Sequence, residues 1–305
     1  TGGLCAPPAG WTAAKGYVDP FASDKVQFTI TKANAGQYKD KLTPGMQAML
    51  DKYPEFKMNV YQTRRTACLP QEAYDVIKSM ATKIELQGFG YVGGVSYAPF
   101  PIPKNGLEAI WNHVPRYLAG GVVRQFNAFP VRANGDYYKI GTEERRVFFR
   151  NLDQSKDNLL GVFMSRFLAP ATLEGTVFLV HEPIDQVKET RSAWIYNSGQ
   201  RRVRRAPDLS YDNINDGTEG LRTTDQFDAF NGAPDRYDWK LVGKKEIYVP
   251  YNAYKLSDKK LKYKADIIRK NTPNADLMRY ELHRVWEVEA NLKPSSKHIY
   301  GKRVF

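Results

Sequence analysis

Four arginines fall within five positions, Arg201, Arg202, Arg204 and Arg205, in the stretch SAWIYNSGQRRVRRAP that runs from Ser192 to Pro207. Guanidinium groups at that density grip phosphates and carboxylates, so the first chemistry to weigh is anion or nucleic-acid binding. Strand alternation divides the charge. Arg201, Val203 and Arg205 would share one face of an extended strand, and Arg202 and Arg204 the other. If Ser198-Gly199 is a two-residue turn, Tyr196 lies opposite Arg201 and Trp194 opposite Val203; a three-residue bulged turn would swap the pairing. Nucleic-acid binders line basic groups along one face beside aromatics or a recognisable helix, and the sequence has neither RNP-like stretches nor a helix-turn-helix. No nucleic-acid partner is expected.

Other chemistry is thinly represented. The four histidines, His113, His181, His283 and His298, are not spaced i+2, i+3 or i+4 from one another or from a cysteine, so metal-ligand spacing is absent and no metal is expected. There is no G-x-S-x-G, no Walker-type phosphate loop and no G-x-G-x-x-G opening a helix, so no enzyme activity and no cofactor are expected. The run from Asp208 to Asp238 holds eight aspartate and glutamate residues, and its DNINDGTE resembles a calcium loop. Position 3 is Ile214, however, and position 12 is Thr223, so turns and caps are the ordinary explanation. Cys5 and Cys68 lie in Pro-flanked contexts, CAPP and ACLP, and read as one disulfide in an oxidising compartment; two unrelated buried thiols are the other reading. Closing so long a loop would constrain the unfolded chain by roughly 4 kcal/mol in the entropy account.

Length and composition set the frame for these residues. The chain has 305 residues, 42% hydrophobic and 13% aromatic, enough for a packed core. Its 45 basic against 33 acidic side chains give +12, which favours an anionic partner. No stretch reaches the roughly 20 apolar residues of a membrane helix. The start, TGGLCAPPAGW, is not a signal peptide, so a signal has either been removed or never existed.

The elements follow from periodicity. KVQFTITK alternates as a half-buried strand, and Pro70 to about Leu86 reads as a helix. GFGYVGGVSYAPFPIP reads as an ordered loop. Asn105 caps GLEAIWNHV, whose Leu107, Ile110, Trp111 and Val114 form one apolar stripe ended by Pro115. This helix is either a plain core helix or the lid of a cavity. From Gly121 the period changes to two, giving ten short candidate strands, among them DYYKIG, LLGVFMSRFLA and LEGTVFLVHE. Hairpin-length joints call for an antiparallel sheet, and so long a sheet must curl, split or close. The expected class is mainly β with helices (α+β): a large curved antiparallel sheet or unclosed β-barrel whose concave side the helices cover. A mixed, helix-bearing segment over 1–118 would pack on a β-rich half-barrel over 119–305. Trp194, Trp239 and Trp286 sit in candidate strands, accompanied by Tyr196, Tyr248, Tyr280, Phe163, Phe167 and Phe178, where large side chains either fill a core, the default, or line a ligand cavity. The chain ends on KHIYGKRVF, still alternating, and is expected to continue.

The blocks WIYNSGQRRVRRAP, GLRTTDQFDAFNGAPDRYDWKLVGKKEIYVPYN and IPKNGLEAIWNH closely resemble a proteobacterial family of secreted proteins of unknown function, described as outer-membrane lipoprotein-sorting protein-like. The resemblance covers about Tyr53 to the end. It extends to the periplasmic lipoprotein carriers and receptor of Lol-type fold, whose Trp-x-Tyr and Arg-Arg-x-x-Arg segments are similar. It implies an unclosed barrel with a hydrophobic cavity for acyl chains, a periplasmic location, and a role in outer-membrane lipid or lipoprotein trafficking. Implied partners are a lipid or acylated lipoprotein and an inner-membrane transporter or outer-membrane protein. The expected cavity or rim residues are Trp111, Trp194, Tyr196, Arg201, Val203, Arg205, Trp239 and Trp286. The alternative is a non-catalytic structural or adaptor protein of an envelope transport complex.

Overall fold

A computed structural model describes residues 6, 9–12, 14–152, 158–206, 211–214, 218 and 220–305. It is mainly β, with large antiparallel sheets and a few helices, and no sheet closes into a barrel among the described residues. In chain order the elements are β1 (Phe28–Ile30), α1 (Pro44–Lys52), β2 (Met58–Val60), α2 (Gln71–Met80), β3 (Glu85–Gln87), β4 (Gly90–Val92) and α3 (Gly106–His113). The six strands β5 (Gly121–Ala128), β6 (Ile140–Phe148), β7 (Leu159–Ala169), β8 (Val177–Pro183), β9 (Ser192–Asn197) and β10 (Arg202–Ala206) come next. The long β11 (Tyr237–Pro250) and β12 (Tyr280–Leu292) and the short β13 (Lys302–Val304) complete the order.

The chain divides into two compact units that interleave in sequence: residues 1–70, 131–136 and 244–286 form the first, and 71–130, 137–243 and 287–305 the second. Residues 118 and 119, the expected boundary, both belong to the second unit.

In the first unit the strand order is β1-β2-β12-β11, and Val60 pairs with Tyr280 in parallel whereas β1 pairs with β2 antiparallel. Ile30, Leu50, Met58, Val60, Tyr248 and Tyr280 make its apolar core. Beside that core lies a buried ionic cluster. Arg279 Nε donates to Glu281 Oε1 at 2.7 Å and Nη2 to Asp24 Oδ2 at 2.8 Å, while Arg64 Nε donates to Asp24 at 3.1 Å. Glu281 also accepts from the Arg64 backbone N–H and from Asn252, and its Oε2 lies 3.0 Å from His283 Nε2. Buried charges persist where each has such partners, because leaving one uncompensated is costly.

The second unit is built on one antiparallel sheet of order β10-β9-β8-β7-β6-β5, each strand joined to the next in sequence. The meander follows from the sequence: LLGVFMSRFLA is β7 over its full length, and the joints are too short for crossovers. DYYKIG is not a strand of its own, since β6 starts only at Ile140 and runs straight through ERRVF. The helix expected to reach Leu86 stops at Met80, because the chain turns there into the β3-β4 hairpin, in a stretch expected to be partly a loop.

α3 forms where expected: the Asn105 side chain accepts from Glu108 N–H at 2.9 Å, and the Glu108 carboxylate accepts from Lys104 N–H at 2.7 Å. Gly106 allows the helix start to press on β11, since a Cβ there would stand 2.8 Å from backbone atoms of Trp239 and Lys240. The helix is not a lid. Ile110 packs with Phe230 and Val288, and Trp111 is buried with its indole N–H donated to Phe89 O at 2.9 Å. Leu107, Ile110 and Trp111 of its stripe are buried, and Val114 lines a small cavity of about 30 Å³.

Candidate ligand cavity

The face of the six-stranded sheet that carries the site is fixed by register. One row of paired residues crosses all six strands: Arg124 on β5, Glu144 on β6, Ser165 on β7, Phe178 on β8, Ile195 on β9 and Arg204 on β10. A neighbouring row reads Arg146, Phe163, Val180, Ala193 and Ala206. Side chains in paired rows two residues apart lie on the same face. That face walls a cavity of about 270 Å³, near the lower end of the ~300–1,000 Å³ found for small-ligand pockets. Phe126, Phe163, Phe167, Phe178 and Phe227 line it together with Ile140, Val180 and Ile195. A smaller cavity of about 30 Å³ shares Phe163, Glu182 and Asn231 with it and is also lined by Arg146.

The opposite wall comes from the segment between β10 and β11. Ile214 and Thr223 form an isolated antiparallel bridge, so this segment turns back on itself, and a capping box of Thr223 and Gln226 starts a short 3-10 helix over Thr224–Gln226. Asn213, Ile214, Thr224 and Phe227 of this segment line the cavity. The segment is held from behind. Buried Asp225 accepts from Arg303 at 2.7 Å and from Thr223 Oγ1 at 2.6 Å, and its Oδ2 lies 2.9 Å from His298 Nε2. The acidic run thus contributes a structural anchor and a cavity cover. Among the described residues no group of three or more His, Cys, Asp or Glu is placed to hold a metal.

The polar groups of the wall are unequal. Glu144 is buried and forms ion pairs with Arg124, at 3.2 Å, and with Arg146. Glu182 accepts from Asn231 at 3.1 Å and has Arg191 at 3.7 Å. Both carboxylates of the lining are therefore compensated. Arg222, also in the lining, differs. Its guanidinium lies 5.4 Å from the Phe227 ring centre, and loss of hydration among apolar neighbours pulls its pKa below the usual arginine range even though part of the side chain stays solvent-exposed.

None of the eight expected site residues is in this lining. Trp194, Tyr196, Val203 and Arg205 are on the other face of the sheet, where Arg205 pairs with Trp194 and Val203 with Tyr196. The turn explains the change: it spans four residues, Asn197 accepts from Gln200 N–H at 3.0 Å, and Arg201 takes a left-handed φ of 50° in the turn itself. Neither the two-residue nor the bulged three-residue form occurs. Trp111 is a core residue, and Trp239 donates to Pro234 O and stacks on Phe305. Trp286 lies on β12 under Lys244, which stands 4.8 Å from its ring. Of the lining phenylalanines, Phe163, Phe167 and Phe178 were among the large strand side chains expected to fill a core or line a cavity, Phe126 was legible only as an apolar position of β5, and Phe227 lies outside the strands. Cys68 is disulfide-bonded, and Cys5, its expected partner, lies outside the described residues.

Relatives of the chain carry little functional description. An uncharacterized protein of Pseudomonas aeruginosa, PA3922, is 50% identical over 312 residues, an alignment that takes in all of this chain and 68% of that protein. A candidate outer membrane lipoprotein-sorting protein domain from Vibrio parahaemolyticus aligns at 14% identity and TM-score 0.39, over 65% of this chain and 64% of its own. A DUF1329 protein from Desulfovibrio piger aligns at 16% identity and TM-score 0.35, over 61% and 60%. The chain thus spans less than two thirds of either solved structure. The model of DUF1329, a family of proteins of unknown function, matches residues 29–305, and the chain belongs to that family.

Proposed function

We propose that this protein is a non-catalytic carrier that holds the acyl chain of a lipid or acylated lipoprotein in the cavity of its six-stranded sheet. The observation that carries the reading is the cavity itself: about 270 Å³ left open between a phenylalanine-lined sheet face and the segment that covers it. Each methylene buried there contributes about 0.8 kcal/mol, so a chain of eight gains roughly 6 kcal/mol before the cost of association. An apolar wall suffices for capture. Release then needs a competing surface that takes the chain better.

The setting proposed with it is the periplasm, in outer-membrane lipid or lipoprotein trafficking, with an inner-membrane transporter or outer-membrane protein as the exchange partner. The disulfide at Cys68 supports an oxidising compartment. The adaptor reading calls for a fully packed sheet interior, which the open cavity argues against.

The test is native mass spectrometry of gently purified protein combined with titration of a fluorescent fatty acid. A retained lipid mass or saturable binding supports the carrier; protein that retains no extractable lipid and binds no probe overturns it.

A further inference from the structure

The carrier reading leaves the polar end of the ligand open, and the charges around the cavity bear on it. Its two carboxylates among the described residues, Glu144 and Glu182, are already engaged by Arg124, Arg146, Arg191 and Asn231. Arg222 has no carboxylate partner among the described residues; its contact is the Phe227 ring. Arg146 reaches the same ring, 4.7 Å from its centre, and keeps a buried Nη2 without a hydrogen-bond partner. On the sheet edge, Arg204 lies in the cavity-face row opposite Ile195, and Arg202 follows two residues away on the same face. Among the described residues, the cavity side of the second unit therefore carries more guanidinium than carboxylate charge.

Resting on the carrier reading, we infer that the ligand is an amphiphile with an anionic headgroup, a carboxylate or a phosphate, which Arg222 holds at the open side of the cavity while the chain lies against the phenylalanines. A partly desolvated guanidinium beside an aromatic ring gains most from an anion, because charge-assisted hydrogen bonds replace the hydration it has lost. A neutral or cationic headgroup would leave that group unpaired, so the same residue that favours the anion disfavours its analogues.

The experiment displaces a neutral pyrene-labelled alcohol from the full chain near pH 8. Competitors are palmitate, hexadecyl phosphate, 1-hexadecanol, hexadecyltrimethylammonium and inorganic phosphate. Palmitate or hexadecyl phosphate should displace the probe at about tenfold lower concentration than hexadecanol, and whichever is stronger identifies the headgroup. Arg222→Gln should bring the acids to within about threefold of the alcohol without changing the alcohol, and Arg222→Lys should keep most of the preference. Equal displacement by hexadecanol and palmitate, or an undiminished preference in Arg222→Gln, overturns the inference. So does displacement by inorganic phosphate at equal concentration, which would make the site one for a free anion. Failure of the neutral probe to bind at all overturns the carrier reading itself, an outcome separate from loss of discrimination.

Discussion

Phe227 lies parallel to Phe163, with 6.4 Å between ring centres and 8° between planes, and the Arg146 guanidinium stands 4.7 Å from one and 5.5 Å from the other. This stack joins the covering segment to β7. Phe227 belongs to the cover and Phe163 to the sheet, so the pair fixes how closely the two cavity walls approach.

Phe227→Ala should therefore loosen the cover more than the fold. An aromatic pair contributes about 0.5–1.5 kcal/mol beyond its area, and Phe227 is only half-buried, so a thermal midpoint lowered by a few degrees is expected. Affinity for a fluorescent fatty acid should fall about tenfold. Calorimetry and titration of the same sample decide it: a large stability loss with unchanged affinity would make the stack merely structural.

Filling the cavity is the complementary change. Ser165 lies between Glu144 and Phe178 in the row across the sheet and lines the cavity, with room in front of it. Ser165→Trp should occupy that volume. Overpacking a closed core costs about 1–3 kcal/mol, but an open cavity accepts the indole, so the midpoint should change little while ligand binding disappears. Full retention of binding in a folded Ser165→Trp protein would move the site elsewhere.

The fold was readable from the sequence where a local signal dominates. LLGVFMSRFLA, a mostly apolar run of strand length ended by Pro170, is β7, and Asn105 marked the start of α3. The site was less readable, for physical reasons. Tryptophans attract notice by size, yet Trp111 and Trp239 had indole N–H groups that the backbone could satisfy in a core, at Phe89 O and Pro234 O. The face of Arg205 depended on the turn length, and Asn197 set that by accepting from Gln200 N–H, a side-chain bond that no alternation pattern encodes. Arg222 lay in a segment read as turns and caps. Its place on the cavity wall follows from the anchoring of Asp225 by Arg303, a contact 78 residues away in sequence.

The first unit should be acid-labile. The Arg64 guanidinium hydrogen-bonded to Asp24, with Arg279 beside it, holds that carboxyl below its ordinary value near 3.8. A carboxyl lowered in the folded state binds protons less readily there than in the unfolded chain. Its stabilisation is thus complete above about pH 4 and is lost as pH falls through the folded value. Asp24→Asn should flatten that acid limb. It should also cost about 3–5 kcal/mol at neutral pH, because Arg279 remains buried with less compensation. Denaturant unfolding from pH 7 down to pH 3 measures both, and an acid limb as steep in the variant as in the parent would remove Asp24 from the account.

Arg204 and Arg205 are neighbours on the edge strand β10 that the pleat turns to opposite faces, Arg204 in the row of Ile195 and Arg205 opposite Trp194. Both are exposed, and both blunt a sheet edge that is unpaired among the described residues, so replacing either by serine should affect solubility alike. Only Arg204 shares the face of the cavity. Arg204→Ser should cut the preference for palmitate over hexadecanol about two- to threefold at low ionic strength, as expected for one screened surface charge, and the effect should vanish near 0.5 M salt. Arg205→Ser should leave the preference unchanged at every salt concentration. The pair is its own control: equal effects of the two substitutions would show that the basic strand acts through net charge alone, and a larger effect of Arg205→Ser would reverse the facing on which the cavity assignment depends.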